Sequence, residues 1–167
     1  MSVEIREATP ADASEIAAVA EEAWHEVHAP IIGKQRTEAF LTRYYDTESL
    51  REVIDSDGWS AHVADAGDEL AGFVSGGPDD ERPDLFYLNR IYLRRAYWGN
   101  GIGSRLLGAF ERDVATRGYG EMSLRVMVEN DRAVQFYKRN GFERHEKLYD
   151  EEVGTDSYVY VKELDGA

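Results

Sequence analysis

The fold of this chain is decided by residues 85–104, which read LFYLNRIYLRRAYWGNGIGS. Residues 85–93 are apolar at almost every position, as expected of a strand that is covered on both faces. Residues 102–117 then carry apolar side chains at helical spacing, and residues 122–128 alternate in the manner of a strand. This succession predicts a β-α-β unit in which the two strands are parallel and joined by a right-handed crossover.

The segments that flank this unit predict antiparallel neighbours. A strand over residues 3–8 precedes a helix that has Thr9 as its N-cap, carries Pro10 in its first turn and ends before Pro30. The other predicted elements are helices at 35–45, 48–55 and 130–140 and strands at 59–65, 69–76, 142–149 and 157–164. We therefore expect an α/β (α+β) fold with a mixed, mostly antiparallel central sheet, one parallel pair and helices on both faces.

The loop between the central strand and its helix carries three glycines at alternate positions, Gly99, Gly101 and Gly103. Glycine lets the backbone approach an anion closely, and the helix that follows presents unpaired N–H groups, so the loop is a candidate pyrophosphate site. A tight turn that needs glycine for packing explains the same residues. The spacing matches neither the Walker pattern, which needs Lys-Ser/Thr after the last glycine, nor the dinucleotide pattern Gly-x-Gly-x-x-Gly.

Composition excludes several functional classes. The chain has 167 residues, 43% of them hydrophobic and 31% charged, which predicts one domain over residues 1–167. A formal charge of −14 argues against binding to nucleic acid or to anionic membranes. No apolar run is long enough for a membrane span and the start is unlike a signal peptide, so we expect a cytoplasmic protein. The lack of cysteine excludes disulfides, thiolate metal sites and a cysteine nucleophile.

The acidic excess has two interpretations. It is either ordinary acidic solubility or the surface of a halophilic protein, in which salt screens the repulsion between like charges.

Two motifs resemble those of the GNAT superfamily of N-acetyltransferases. LNRIYL at residues 88–93 followed by WGNGIG at 98–103 is similar to the acetyl-CoA-binding motif of that superfamily. NDRAVQFYKRNGF at residues 130–142 is similar to its second motif, in which an Asn, an Ala, a Tyr and a closing Gly-Phe recur at these spacings. The motifs follow the order found in the superfamily, and the resemblance covers essentially the whole chain.

The resemblance implies an acetyl-CoA site between two splayed parallel strands, 85–93 and 122–128. Its pyrophosphate would lie on the backbone amides of residues 99–104, and its pantetheine would pair along residues 91–93. The residues implied to contact the cofactor are Ile91, Leu93, Trp98, Gly99, Asn100, Gly101, Ile102, Gly103, Ser104, Asn130, Phe136 and Tyr137. The superfamily usually has Gln or Arg at the position of Trp98, and it often has a catalytic Glu at the position of Asn89.

The resemblance also implies catalytic and acceptor residues. Tyr137 matches the acid that protonates the leaving thiolate, although without the motif a packed aromatic residue would be the better explanation. Asn89 would hold a water molecule or the acceptor amine. Residues 24–45 correspond to a segment that borders the acceptor site, which makes His28, Tyr44 and Tyr45 candidate substrate contacts.

The expected activity is direct transfer of an acetyl group from acetyl-CoA to a primary amine of a small molecule or a protein. The negative charge of the chain favours cationic small molecules as acceptors. A non-catalytic acyl-CoA-binding or regulatory domain and a nucleotide-binding Rossmann-type domain are the alternatives. No metal site is predicted, because His25 and His28 lack an evident third ligand. An exposed edge at the C-terminal strand would permit a homodimer.

Overall fold

The computed structural model describes residues 2–151 and 153–164, and it contains one seven-stranded sheet. The strands are β1 (Glu4–Glu7), β2 (Ser60–Asp65), β3 (Leu70–Pro78), β4 (Phe86–Leu93), β5 (Glu121–Met127), β6 (Glu143–Asp150) and β7 (Thr155–Glu163). Their spatial order is β1-β2-β3-β4-β5-β7-β6. β4 and β5 pair in parallel, and the other five neighbouring pairs of described strands are antiparallel. The predicted mixed sheet is confirmed, with β4 at its centre.

Helices cover both faces of this sheet, as predicted. They are α1 (Ala13–Ala23), α2 (Ala29–Ile32), α3 (Lys34–Tyr44), α4 (Thr47–Ile54), α5 (Ile102–Thr116) and α6 (Asp131–Arg139). One apolar cluster joins α5 and α6 to the sheet through side chains such as Leu106 and Phe110. A second cluster joins α1 and α4 to the opposite face through Ile16, Val19 and Leu50. None of these helices is long and apolar enough to cross a membrane.

The first long helix does not end before Pro30, so that prediction is wrong. A π-helical turn over Trp24–His28 follows α1, and there the N–H of Ala29 bonds to the carbonyl oxygen of Trp24. The chain continues helically into α2, where Pro30 lies near the start and its missing N–H costs little. The helix ends at Gly33, whose φ of 91° is readily adopted only by glycine.

The C-terminal strand is not an edge of the sheet, so the prediction of an exposed edge at this strand is wrong. β7 lies between β5 and β6 and pairs with both. β6 forms the edge on this side of the sheet, because it lies outside β7 in the strand order.

A β-bulge interrupts the central strand at Asn89. Ser75 of β3 pairs with Arg90, whereas the next residue, Gly76, pairs with Leu88, so Asn89 is an extra residue on β4. The bulge changes which side chains face each side of the sheet. Leu88 belongs to the cluster beneath α5, whereas Tyr92 packs against the cluster beneath α1. The expectation of apolar residues along both faces therefore fails here, where Asn89 is exposed and Arg90 is buried.

Candidate active site

The two parallel strands separate soon after they begin to pair. Phe86 pairs with Met122 and Tyr87 with Ser123, and no further pair follows along β4 and β5 within the described chain. A cavity of about 560 Å³ opens where the strands diverge. The predicted glycine loop lines one part of it, and aromatic side chains from residues 24–45 line another.

The glycine loop has the backbone conformation that an anion cradle requires. Gly99 and Gly101 have φ values of 83° and 75°, and Gly101 is the N-cap of α5. The first N–H groups of α5 have no acceptor within the helix and therefore remain available to a ligand. Gly103 has a different role, because a Cβ atom there would lie 3.2 Å from the ring of Phe136. Glycine at 103 thus lets α6 pack against the start of α5.

The loop residues differ in how they meet the cavity. Trp98, Ile102 and Ser104 line it together with the three glycines. Asn100 turns its side-chain amide back onto the loop, toward the carbonyl oxygens of Tyr97 at 3.4 Å and Trp98 at 3.5 Å. Its side chain therefore shapes the loop and does not line the cavity.

Residues of β4 form one wall of the cavity, as predicted for Asn89, Ile91 and Leu93. The exposed side chain of Asn89 follows from the bulge. The indole Nε1 of Trp98 donates a hydrogen bond to the carbonyl oxygen of Leu93 at 3.0 Å. Residues 91–93 are the strand segment predicted to pair with pantetheine. The carbonyl oxygen at the end of this segment, that of Leu93, therefore already accepts a hydrogen bond within the protein.

Helix α6 contributes Asn130, Phe136 and Tyr137 to the same cavity. The side chain of Asn130 caps the helix by accepting a hydrogen bond from the N–H of Ala133 at 3.3 Å. Tyr137 is 7% exposed, and burial raises the pKa of its phenol well above the ordinary value. The phenol is therefore protonated at neutral pH and can act as a proton donor.

The three predicted acceptor contacts, His28, Tyr44 and Tyr45, also line the cavity. His28 stacks on Trp24 with ring centroids 4.1 Å apart. Burial lowers the pKa of His28 to about 4, so this imidazole is neutral at pH 7. The hydroxyl groups of Tyr45 and Tyr92 lie 3.0 Å apart, and they form a polar point in an otherwise aromatic wall.

Sequence reasoning missed the charged residues of the cavity, which are Arg90, Arg125, Arg132, Arg139 and Asp150. Arg90 is buried, with its guanidinium 4.9 Å from the centroid of the Tyr45 ring. Arg132 stacks over Trp98 at 4.0 Å. Asp150, at the end of β6, adds a carboxylate to the lining. Arg90 and Arg132 lie within the two motifs, at positions to which the motifs assign no role, and Asp150 lies outside both motifs. Only the fold brings these residues together.

The structure suggests neither a metal centre nor a dinucleotide fold. Among the described residues, no group of three His, Cys, Asp or Glu side chains is arranged to hold a metal ion. A Rossmann-type sheet is mostly parallel, whereas this sheet has a single parallel pair among its described strands. The sheet therefore does not support the Rossmann-type alternative that the glycines alone suggested.

Known proteins show the same architecture. The sequence model of the acetyltransferase (GNAT) family matches residues 19–142. A spermidine N(1)-acetyltransferase of Thermoplasma acidophilum is 29% identical over 146 residues, which are 85% of this chain and 89% of that protein. The crystal structure of the PaiA N-acetyltransferase from Thermoplasma acidophilum in complex with coenzyme A has a TM-score of 0.87 and 27% identity, covering 98% of this chain and 99% of that one. Ard1 from Thermoplasma volcanium shares the fold, with a TM-score of 0.74, 20% identity and 99% coverage of both chains.

Proposed function

This chain belongs to the acetyltransferase (GNAT) family and transfers an acetyl group from acetyl-CoA to an amine, and from that premise we propose that its acceptor is a small aliphatic amine with more than one ammonium group. Neither the acceptor nor the residue roles follow from family membership alone.

The observation that carries the proposal is the separation of β4 from β5. It places the glycine loop, Tyr137 and the aromatic wall around a single cavity. The residues fit acetyl-CoA, because left-handed glycines and the start of α5 offer N–H donors to phosphate groups. The bound thioester supplies an activated acetyl group, and the chain supplies position and proton transfer.

We assign Tyr137 as the proton donor and Asn89 as a positioning residue for the amine. The ammonium group first loses one proton to solvent, because only the neutral amine has a free electron pair. Its nitrogen then attacks the thioester carbonyl, the C–S bond breaks, and the phenol of Tyr137 gives its proton to the departing thiolate. The nitrogen loses a second proton to solvent as the amide forms, and the phenolate regains a proton from solvent, so the enzyme returns to its starting state. The exposed amide of Asn89 can accept a hydrogen bond from the amine or from a water molecule.

The acceptor half favours a second cationic group on the substrate. Asp150 adds a carboxylate to a cavity lining that also carries arginines such as Arg90 and Arg125, and the aromatic rings of the wall attract ammonium groups through their faces. The chain carries a net charge of −14, which raises the local concentration of cations near its surface. The relative named as a spermidine acetyltransferase supports the same acceptor class.

Release of free thiol from acetyl-CoA in the presence of an amine panel tests this proposal. Spermidine and short diamines should be acetylated with a lower KM than monoamines of equal length. Asp150→Asn should raise the KM for diamines about tenfold, as loss of one charge-assisted contact does, and leave the KM for monoamines unchanged. Glu146→Gln is the matched control, since it removes a charge from an exposed site on the same strand. Equal KM values for diamines and monoamines would contradict the proposed acceptor class.

A further inference from the structure

The glycine loop contains no basic side chain of its own. Residues 98–104 read WGNGIGS, so every donor that the loop offers to phosphate groups is uncharged. The surface of the protein as a whole is acidic, with 33 Asp and Glu against 19 Lys and Arg. A polyanionic ligand bound to this loop therefore needs a positive charge from another part of the fold.

Arg132 brings such a charge to the loop. It lies in the first turn of α6, it lines the cavity, and its guanidinium stacks over the Trp98 ring at 4.0 Å from the ring centroid. Trp98 is held in place by the hydrogen bond from its indole to Leu93. The ring thus fixes the position of a long, exposed side chain that would otherwise sample many rotamers.

Arg95 also approaches the Trp98 ring, but its charge is already paired. Its guanidinium lies 5.7 Å from the ring centroid and forms an ion pair with Glu26. Among residues 2–151 and 153–164, Arg132 takes part in no ion pair. Its N–H groups remain available to an anion, because stacking uses the face of the guanidinium and leaves its edge free.

We propose that Arg132, positioned by Trp98, binds a phosphate group of acetyl-CoA and supplies the cationic contact that the loop itself lacks. Trp98 acts through Arg132 and is a positioning residue. The inference rests on the cofactor site described above and is independent of the acceptor. It also gives a reason for the tryptophan in the loop, whose backbone N–H and indole N–H already donate to the carbonyl oxygens of Arg95 and Leu93.

Steady-state kinetics and calorimetric titration of coenzyme A test the proposal on the full-length chain. Arg132→Gln should raise the KM for acetyl-CoA and the Kd for coenzyme A about tenfold, which is typical of one lost charge-assisted contact, with kcat and the KM for the amine nearly unchanged. Arg82→Gln is the matched control, because Arg82 lies in an exposed loop outside the cavity. Arg132→Lys should recover part of the affinity, since it keeps the charge and loses the planar stack.

A double-mutant cycle examines the role of Trp98. Trp98→Leu should weaken coenzyme A about as much as Arg132→Gln, and the double variant should be little worse than either single variant. Trp98→Phe keeps an aromatic face for Arg132 and should be milder than Trp98→Leu. Thermal melting of each variant checks that the loop change has not unfolded the protein.

The phosphate concerned is identified with 3′-dephospho-coenzyme A. If Arg132→Gln no longer weakens binding of this analogue, the contact is to the 3′-phosphate, and if the effect persists, the contact is to the pyrophosphate. Unchanged affinity in folded Arg132→Gln, or fully additive effects of the two substitutions, would overturn the inference. Failure of the wild-type protein to bind coenzyme A would instead refute the cofactor site itself.

Discussion

Replacing Tyr137 with phenylalanine is expected to separate binding of acetyl-CoA from acetyl transfer. The substitution removes one hydroxyl group and leaves the ring, which packs edge-on against Phe136 at 5.4 Å and Phe142 at 5.7 Å between centroids. These contacts retain the position of α6 in the core. The free energy of unfolding should therefore change by less than ~1 kcal/mol, and the Kd of coenzyme A should be nearly constant.

The expected loss of turnover follows from the protonation state of the phenol. A phenol with an ordinary pKa of ~10 already carries its proton at neutral pH, and burial raises the pKa of Tyr137 further, which makes it a weaker acid toward the thiolate. Removal of a positioned acid costs ~10²–10⁴-fold in kcat, or about 2.7–5.5 kcal/mol of transition-state stabilisation. A thiolate with an ordinary pKa of ~8.5 is a fair leaving group even without help. We therefore expect the lower end of this range, a fall in kcat of about 10²-fold.

Thiol release under saturating acetyl-CoA and amine measures this loss. Tyr160→Phe is the matched control, because Tyr160 is fully buried in the same core and has a hydroxyl group without a protein partner in the described structure. It should retain wild-type kcat. If folded Tyr137→Phe turns over at the wild-type rate, the phenol does not supply the proton, and solvent or another group must do so.

Three further results are expected. Gly101→Ala should cost ~1–2 kcal/mol of stability and weaken coenzyme A, because the φ of 75° disfavours any side chain; equal melting temperatures and Kd values would contradict this. Burial lowers the pKa of His28 from 6.5 to about 4, so its contribution to stability is complete above pH 6.5 and is lost as the pH falls toward 4, by up to ~3 kcal/mol in urea unfolding. His28→Gln should reduce that acid sensitivity, and an unchanged pH profile would exclude this origin. The net charge of −14 predicts a melting temperature that rises between low and molar KCl, and a flat curve would argue against the halophilic interpretation.

The parts of the site that lie close together in sequence could be predicted from it. The order of strand, glycine loop, helix and strand fixes a local unit, since each element is specified by its own periodicity. The positions of Gly101 and Asn130 follow in the same way, because a left-handed residue and a helix cap are local requirements. In the structure Gly101 is the N-cap of α5 and Asn130 is the N-cap of α6.

Features that depend on pairing between distant segments could not be predicted. The bulge at Asn89 exists only in relation to β3, and it changes the face of every later residue of the strand. The charge of Arg90 predicts an exposed side chain, yet this side chain is buried. It packs against the end of α3, where it donates to the carbonyl oxygen of Tyr44, and against the ring of Tyr45. The contact between Trp98 and Arg132 joins residues of two different motifs. Helical continuation past Pro30 likewise depends on a π turn that no local propensity indicates.

Beyond Tyr87 the edge of β4 that faces β5 has no strand partner within the described chain, and this makes ligand occupancy part of the thermodynamics of this protein. Backbone groups on such an edge that lack a protein partner bond to water or to a bound molecule, and a ligand that binds the folded state alone shifts the unfolding equilibrium by mass action. At a concentration of one hundred times its Kd, such a ligand adds about 2.7 kcal/mol to the free energy of unfolding. The lifetime of the protein against proteolysis should accordingly rise and fall with the acetyl-CoA supply of the cell.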